Sequence, residues 1–385
     1  MNQISSNRRI VCPQCGYDDN PFTANHCLNC SSRLRSQSAD GGDRDSPSRR
    51  NSIPWSIIPL VGLLLVTLGL FVLWRNSQPP TPPSSQPLTS QADFPREWQL
   101  YNSLRDVPDV PEGVFLYGGA MASAALRAKN IQSEITRAHP KFRLLYTDPL
   151  NVPPDSGKGI EMTANGEISF SESFRPIQQS EYNIVRSRGY TLKQVPVALG
   201  GIAFYSHPGV KLSGISLGQI QEIYSGKITN WRQLGGSNLP IVPVSQDPDA
   251  KASTSFLLQG MPSSQQRFGK NVQIVRDTTS AIRKVAAMPG GIGYGAQALV
   301  VGQQTVEPLS LAKGRSRNYV PAAAPDGTVN QQALLDGSYP LIRRIFVVYR
   351  EDGSLDEVAG RAYANLLLST EGQKLVDRAG YVPIR

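Results

Sequence analysis

From about residue 108 onward the chain is expected to adopt an α/β fold with a mostly parallel sheet. Three observations point there: short apolar runs alternate with helical ones, serines and threonines stand where helices would begin, and glycines close the turns. Gly113 to Tyr117, "GVFLY", reads as a strand, Ala122 to Ala138 as a helix, and Phe142 to Tyr146, "FRLLY", as a second strand. Ser216 with Gln219 is a capping-box pattern, and the helix it opens runs through Ile220 and Ile223 to a stop at Gly226. Thr278 and Thr279 open another helix that ends before "PGGIGYG", where consecutive glycines turn the chain into a strand. "RRIFVVYR", Arg343 to Arg350, is a strand, and Thr370 with Gln373 caps the last helix, which stops at Gly380.

At 385 residues the chain should hold more than one folded part. Residues 1–36 contain all four cysteines, 37–54 form a polar cytoplasmic linker, 55–74 carry no charge, and 75–107 are a Pro/Ser-rich linker. Cys12-Pro-Gln-Cys15 and Cys27-Leu-Asn-Cys30 are two CxxC turns, each able to aim both thiolates at one ion. Together they suit a closed tetrahedral Zn²⁺ site with no open position, and the metal would supply most of the folding free energy of so short a segment. Two disulfides or a redox dithiol are the alternatives. "CPQCGYDDNPFTANHCLNCSSRL" resembles a zinc ribbon, with His26 a bystander.

The run Trp55 to Trp74, "WSIIPLVGLLLVTLGLFVLW", has the length of a single transmembrane helix, with a tryptophan at each interface. Seven arginines precede it and only Arg75 follows closely, so the positive-inside rule keeps residues 1–54 in the cytoplasm and the remainder outside the inner membrane. A reducing compartment around the cysteines agrees with that orientation. A cleaved signal peptide is the competing reading. The prolines between Pro79 and Pro87 make an extended stalk.

No Ser/His/Asp arrangement, P-loop, dinucleotide fingerprint or metal cluster occurs in the globular part, so an enzyme is not expected. "PVSQDPDAKASTSF", Pro243 to Phe256, gathers Ser245, Ser253, Thr254 and Ser255 around Lys251. Hydroxyls and free N–H groups at a helix start suit an anion, although an ordinary helix cap has the same composition. The formal net charge of +9 is compatible with anionic ligands. Between the CxxC pairs lie Asp18 and Asp19 and no Lys or Arg, so nucleic acid is not an expected partner.

"SGISLGQIQEIYSGKITNWRQLGGSNLPIVPVSQD" resembles the second lobe of substrate-binding proteins of phosphate ABC importers. "GGIGYGAQAL", "YPLIRRIFVVYRED" and "LLLSTEGQKLVDRAGYVPI" match later segments of that family in the same order, so the resemblance covers roughly residues 110–385. It implies a two-lobed Venus-flytrap fold over 108–385, with lobe 1 at about 108–204 and 297–385 and lobe 2 at about 205–296. It also implies an oxyanion held by four segments. These are "YGGAMAS" with Gly119, Ala120, Met121 and Ser123; "DSGKGI" with Ser156 and Gly157; "SFSESFRPI" with Ser171, Ser173 and Arg175; and the loop with Lys251, Ser253 and Thr254. Where the family has an arginine followed by Ser-Gly-Thr, this chain has Lys251 and Ala252-Ser253-Thr254.

The expected function is that of a membrane-anchored extracytoplasmic binding protein for phosphate or a related oxyanion, with an ABC permease as partner. The alternative is a ligand sensor or scaffold that couples this domain to a cytoplasmic protein partner of the zinc ribbon. The metal expectation is tested by elemental analysis of the full chain: one Zn²⁺ for the four thiolates, lost in a Cys12→Ser/Cys27→Ser variant, is the expected outcome.

Overall fold

A computed structural model of the chain describes residues 101–128, 130–246, 257 and 267–385, with the backbone of residues 9–10 and 20–21. Arg9–Ile10 and Asn20–Pro21 pair antiparallel on either side, in sequence, of Cys12 and Cys15. The four cysteines, the apolar run 55–74 and the loop with Lys251, Ser253 and Thr254 lie outside the described residues. Among the described residues no helix is long and apolar enough to cross a membrane, and no group of His, Cys, Asp and Glu could hold a metal ion.

In chain order the principal strands are β1 (Gly113–Gly119), β2 (Phe142–Tyr146), β3 (Phe170–Ser173), β4 (Thr191–Ser206), β5 (Val242–Gln246), β6 (Gln273–Val275), β7 (Gly291–Ala296) and β8 (Ile342–Glu351). The helices are α1 (Ala124–Ala128), α2 (Ile131–Ala138), α3 (Ser156–Asn165), α4 (Gln179–Arg186), α5 (Leu217–Tyr224), α6 (Thr278–Ala287), α7 (Gln297–Val300), α8 (Gln331–Leu335), α9 (Leu355–Leu368) and α10 (Thr370–Arg378). One path of hydrogen-bonded strands runs β2-β1-β3-β8-β4-β7-β5-β6. Strands β1, β2 and β3 are mutually parallel, as are β5, β6 and β7, while β4 and β8 run antiparallel to each other.

Strand β4 joins two lobes. Its residues Thr191 to Gly201 pair with β8, and Ile202 to Ser206 pair with β7. Pro196 cannot donate to a ladder, and the register with β8 shifts beside it, between Ile345 and Phe346. At the changeover stand Gly200 and Gly201. A Cβ on Gly201 would lie 2.0 Å from Gln297 Oε1, and one on Gly200 would press on the Tyr381 ring at 3.2 Å. The glycines therefore let α7 and the C-terminal segment close on the strand that links the lobes.

Alternation along β8 sends Ile345, Val347 and Tyr349 into the first core with Tyr117, Phe170 and Tyr363, while Phe346 and Val348 face α3 and α4 with Ile160 and Val185. The second core gathers Phe204, Tyr224, Trp231, Val244 and Ile292. Val300, Leu309, Leu311, Leu334 and Tyr339 also join it, so the second lobe runs to about residue 341 and the chain returns through β8. This differs from the expected return at 297. Glu307–Pro308 pairs with β4 and Leu311–Ala312 with Ile215–Ser216, which holds the intervening chain on the second lobe.

The expected capping box at Ser216 and Gln219 is present, with Gln219 N–H donating to Ser216 Oγ at 3.3 Å and Ser216 N–H to Gln219 Oε1 at 2.9 Å. Two caps sit one residue earlier than expected. Asp277 accepts from Ser280 N–H at 2.7 Å and Ser369 from Gly372 N–H at 2.9 Å. Gln373 instead donates to Val197 O and Leu367 O. The single helix expected over 122–138 is broken, because Asn130 takes a left-handed φ of 61° between α1 and α2.

Candidate functional site

The C-terminal ends of β1 and β3 meet the start of α3. Gly119 has φ 112°, and a Cβ there would lie 2.2 Å from Glu172 O. A Cβ on Gly159, in the first turn of α3, would lie 2.4 Å from Gly119 Cα and 3.2 Å from Ser171 Cβ. The helix start thus rests directly on the sheet end, an approach that only glycine permits. Asp155 caps α3 by accepting from Lys158 N–H at 2.7 Å. The N–H groups of Ser156 and Gly157 have no acceptor among the described residues, and neither does that of Met121. Ser171 Oγ is buried without a partner, and Ser156 Oγ accepts from Phe174 N–H at 3.0 Å, which leaves its own hydrogen to donate. This set combines unspent donors with the positive end of a ten-residue helix, the chemistry of an anion cradle.

Of the residues singled out from the sequence, Gly119, Met121, Ser156, Gly157 and Ser171 are brought to this edge. Lys251, Ser253 and Thr254 lie outside the described residues, and Ala120, Ser123, Ser173 and Arg175 are committed elsewhere. Ala120 N–H donates to Glu172 O at 2.8 Å. Ser123 is buried beneath the loop, its hydroxyl 2.7 Å from Ala120 O and 2.5 Å from Glu172 Oε2. Ser173 Oγ closes a local turn with Arg175, donating to its carbonyl at 2.6 Å and accepting from its N–H at 3.2 Å. The Arg175 guanidinium forks onto Glu181 at 2.6 and 2.8 Å, and Glu181 also accepts from Gln178 N–H. Such a bidentate pair closes the fork to a ligand.

Sequence reasoning missed a buried polar cluster behind the loop. Glu172 sits at 1% exposure and receives the Tyr363 hydroxyl at 2.6 Å on Oε1, while Arg127 Nη1 stands 3.4 Å from Oε2. Burial pushes the carboxyl above the ordinary carboxylate range, against the pull of Arg127, Ser123 and Tyr363. The same burial raises the Tyr146 phenol to about 12 and Tyr117 further still. The signal available in the sequence was one carboxylate inside the otherwise apolar and hydroxylic run "FSESF".

In the second lobe, β5 ends at Ser245 and Gln246. Ser245 Oγ lies 2.9 Å from both Gln246 O and the Tyr294 hydroxyl, and Gln246 Nε2 reaches Thr278 Oγ1, in the first turn of α6, at 3.4 Å. The chain beyond Gln246 enters the loop outside the described residues. A separate surface groove of about 350 Å³ is lined by Lys193, Glu351, Glu357 and Arg361. Its charges oppose one another as Lys193–Glu351 and Arg361–Glu357, each at 3.9 Å, so it presents no single sign to a ligand.

A family model described as a PBP superfamily domain matches residues 119–371. The chain belongs to the PBP superfamily. Curated relatives include the phosphate-binding protein PstS of Staphylococcus epidermidis, 24% identical over 233 residues, which covers 59% of this chain and 67% of that protein. PstS of Bacillus subtilis is 24% identical over 235 residues, 60% of this chain and 69% of that one. Among solved structures, a substrate-binding protein with bound phosphate from Clostridium perfringens superposes with a TM-score of 0.58 at 23% identity, covering 71% of this PBP superfamily chain and 100% of its own. An ABC-type phosphate transport receptor from Vibrio cholerae gives 0.52 at 18%, covering 70% and 99%. At these identities the superpositions establish the two-lobed fold.

Gly159→Ala is expected to cost about 1–3 kcal/mol in a denaturant melt, because the new methyl must push α3 off β1, whereas Gly189→Ala, where nothing lies within 4 Å, should cost less despite its φ of 86°.

Proposed function

We propose that this chain is an extracytoplasmic solute-binding protein for phosphate or a related oxyanion, delivering it to an ABC-type permease. Its role is binding rather than catalysis, in line with the names of its relatives. The observation that carries the reading is the group of unspent donors at one sheet edge, Met121 N–H, Ser156 N–H and hydroxyl, Gly157 N–H and the Ser171 hydroxyl. An anion accepts from such donors without requiring a positive side chain, and the dipole of α3 adds to the attraction. The second lobe would complete the enclosure with Lys251, Ser253 and Thr254, which come five to eight residues after the end of β5 in the sequence, as β4 and β8 flex between the lobes. A lysine there supplies a point charge rather than a fork, so the site would rely on N–H and hydroxyl geometry for selectivity.

We further propose that residues 55–74 anchor the protein by a single span, with 75–107 as stalk, and that residues 1–36 fold around Zn²⁺ on the cytoplasmic side, where they meet a protein partner. The charge-free run, the arginines preceding it and the paired CxxC spacing support this part of the reading.

Calorimetric titration of the purified full-length chain with inorganic phosphate and with sulfate tests the ligand. Saturable phosphate binding is expected, weakened about tenfold or more in Ser156→Ala through loss of one charge-assisted hydrogen bond. Absence of binding to any oxyanion would overturn the reading.

A further inference from the structure

Glu172 is a buried carboxyl that anion binding by the loop donors leaves unused, and the hydrogens around it bear on its state. Ser123 Oγ lies 2.7 Å from Ala120 O and 2.5 Å from Glu172 Oε2, and a serine has a single hydroxyl hydrogen. The Ala120 carbonyl has none to give. With Glu172 ionised, the single Ser123 hydrogen would have to be shared between two acceptors, one of them only 2.5 Å away. With a hydrogen on Oε2, the acid donates to Ser123 Oγ, Ser123 donates to Ala120 O, and the Tyr363 hydroxyl donates to Oε1 at 2.6 Å. Every contact then carries a hydrogen. Arg127 Nη1 makes long contacts of 3.4 Å to both Ser123 Oγ and Glu172 Oε2 but places no hydrogen between Ser123 and Ala120 O, and its guanidinium carbon lies over the Tyr146 ring at 3.9 Å.

The groups facing Glu172 come from every element around it: Ser123 in the loop, Arg127 from α1, Tyr117 from β1, Tyr146 from β2, Tyr363 from α9 and Tyr381 from the C-terminal segment. Arg127 is the cation among them, and the charge of Asp148 acts on Tyr146. Val347 of β8 lies opposite Glu172 in the ladder. The loop is tied to this cluster at further points, since Ala120 N–H donates to Glu172 O and the Tyr381 hydroxyl to Ala122 O.

We propose that Glu172 is held as a neutral acid and serves as a proton-dependent latch on the loop Gly119–Ser123. Protonated, it fixes the loop through Ser123 and the Ala120 carbonyl. As pH rises the proton leaves to solvent, Ser123 must divide one hydrogen between both oxygens, and a negative charge appears behind the loop that carries Met121 N–H. The latch stands on these contacts alone, whereas its effect on ligand affinity rests on the anion-binding reading.

The stability consequence has a definite sign. Burial raises the carboxyl in the folded state, so its contribution is complete below the unfolded value near pH 4.3 and is lost as pH rises through the folded value. Glu172→Gln keeps a donor to Ser123 and an acceptor for Tyr363 but cannot ionise. Difference infrared spectra of the full chain at neutral pH are expected to show the carbonyl stretch of a protonated carboxyl that vanishes in Glu172→Gln. The melting temperature of the natural chain should fall with rising pH more steeply than that of the variant. Affinity for inorganic phosphate should likewise fall faster in the natural chain, by up to about tenfold per pH unit above the transition; the titration of phosphate itself is common to both proteins. No such band at neutral pH, or equal pH slopes of melting, would overturn the latch. If phosphate binds neither protein, the binding reading fails, and the band and the melting curves still decide the latch. Should Glu172→Gln not fold, Tyr363→Phe keeps the ring stacked on Phe170 at 4.8 Å while removing a donor to the carboxylate. The pH at which the band is lost should then move upward, and an unchanged or lower pH would contradict the proposal.

Discussion

The sharing of β4 between two sheets is the constraint on which the rest of the molecule depends. A strand of sixteen residues hydrogen-bonds to β8 along its first part and to β7 along its second, so neither lobe can shift without bending this strand or β8 at the changeover. The bulge at Pro196 and the pair Gly200–Gly201 weaken the ladder where bending is needed. On each side a separate core holds its lobe rigid, with Tyr117, Phe170 and Tyr363 stacked in one and Tyr224, Trp231 and Phe204 packed in the other. Rigid lobes on a soft connection are what a closing cleft requires.

The site follows from the parallel order of β1, β2 and β3. Parallel strands need crossover helices, and a helix that begins where a strand ends directs its unpaired N–H groups at that edge. Gly119 and Gly159 bring the start of α3 into van der Waals contact with the sheet, and the Ser171 hydroxyl faces the first turn without a partner. Buried donors without acceptors are costly, and an oxyanion taking their hydrogen bonds would remove that cost. Behind the same loop, the buried Glu172 accepts from Tyr363 and contacts Ser123, which braces the loop from that side.

Much of this was legible in the sequence, and the reasons it stopped short are specific. The capping box at Ser216, the strand "FVVY" and the glycines of "GGIGYG" carry local signals, and local signals place elements. What a side chain does once its strand is buried depends on neighbours far along the chain. Arg175 stands in a segment that the sequence resemblance implied for ligand, yet Glu181, six residues on, is in reach of its fork and takes it. Ser123 follows the glycine loop but turns inward because Glu172 waits in the adjacent strand. The extent of the second lobe was missed for the same reason, since nothing in residues 300–341 alone says that Leu309 and Leu334 pack with Trp231 rather than with Tyr363.

The central claim is that backbone N–H groups of the first lobe hold the anion, and amide hydrogen exchange of the full chain with and without inorganic phosphate tests it most directly. The account predicts slowed exchange at Met121, Ser156 and Gly157 when phosphate is added, with little change in the surface segment 302–305. Unchanged exchange at those three amides in the presence of bound phosphate would contradict it, because the ligand would then be held somewhere else.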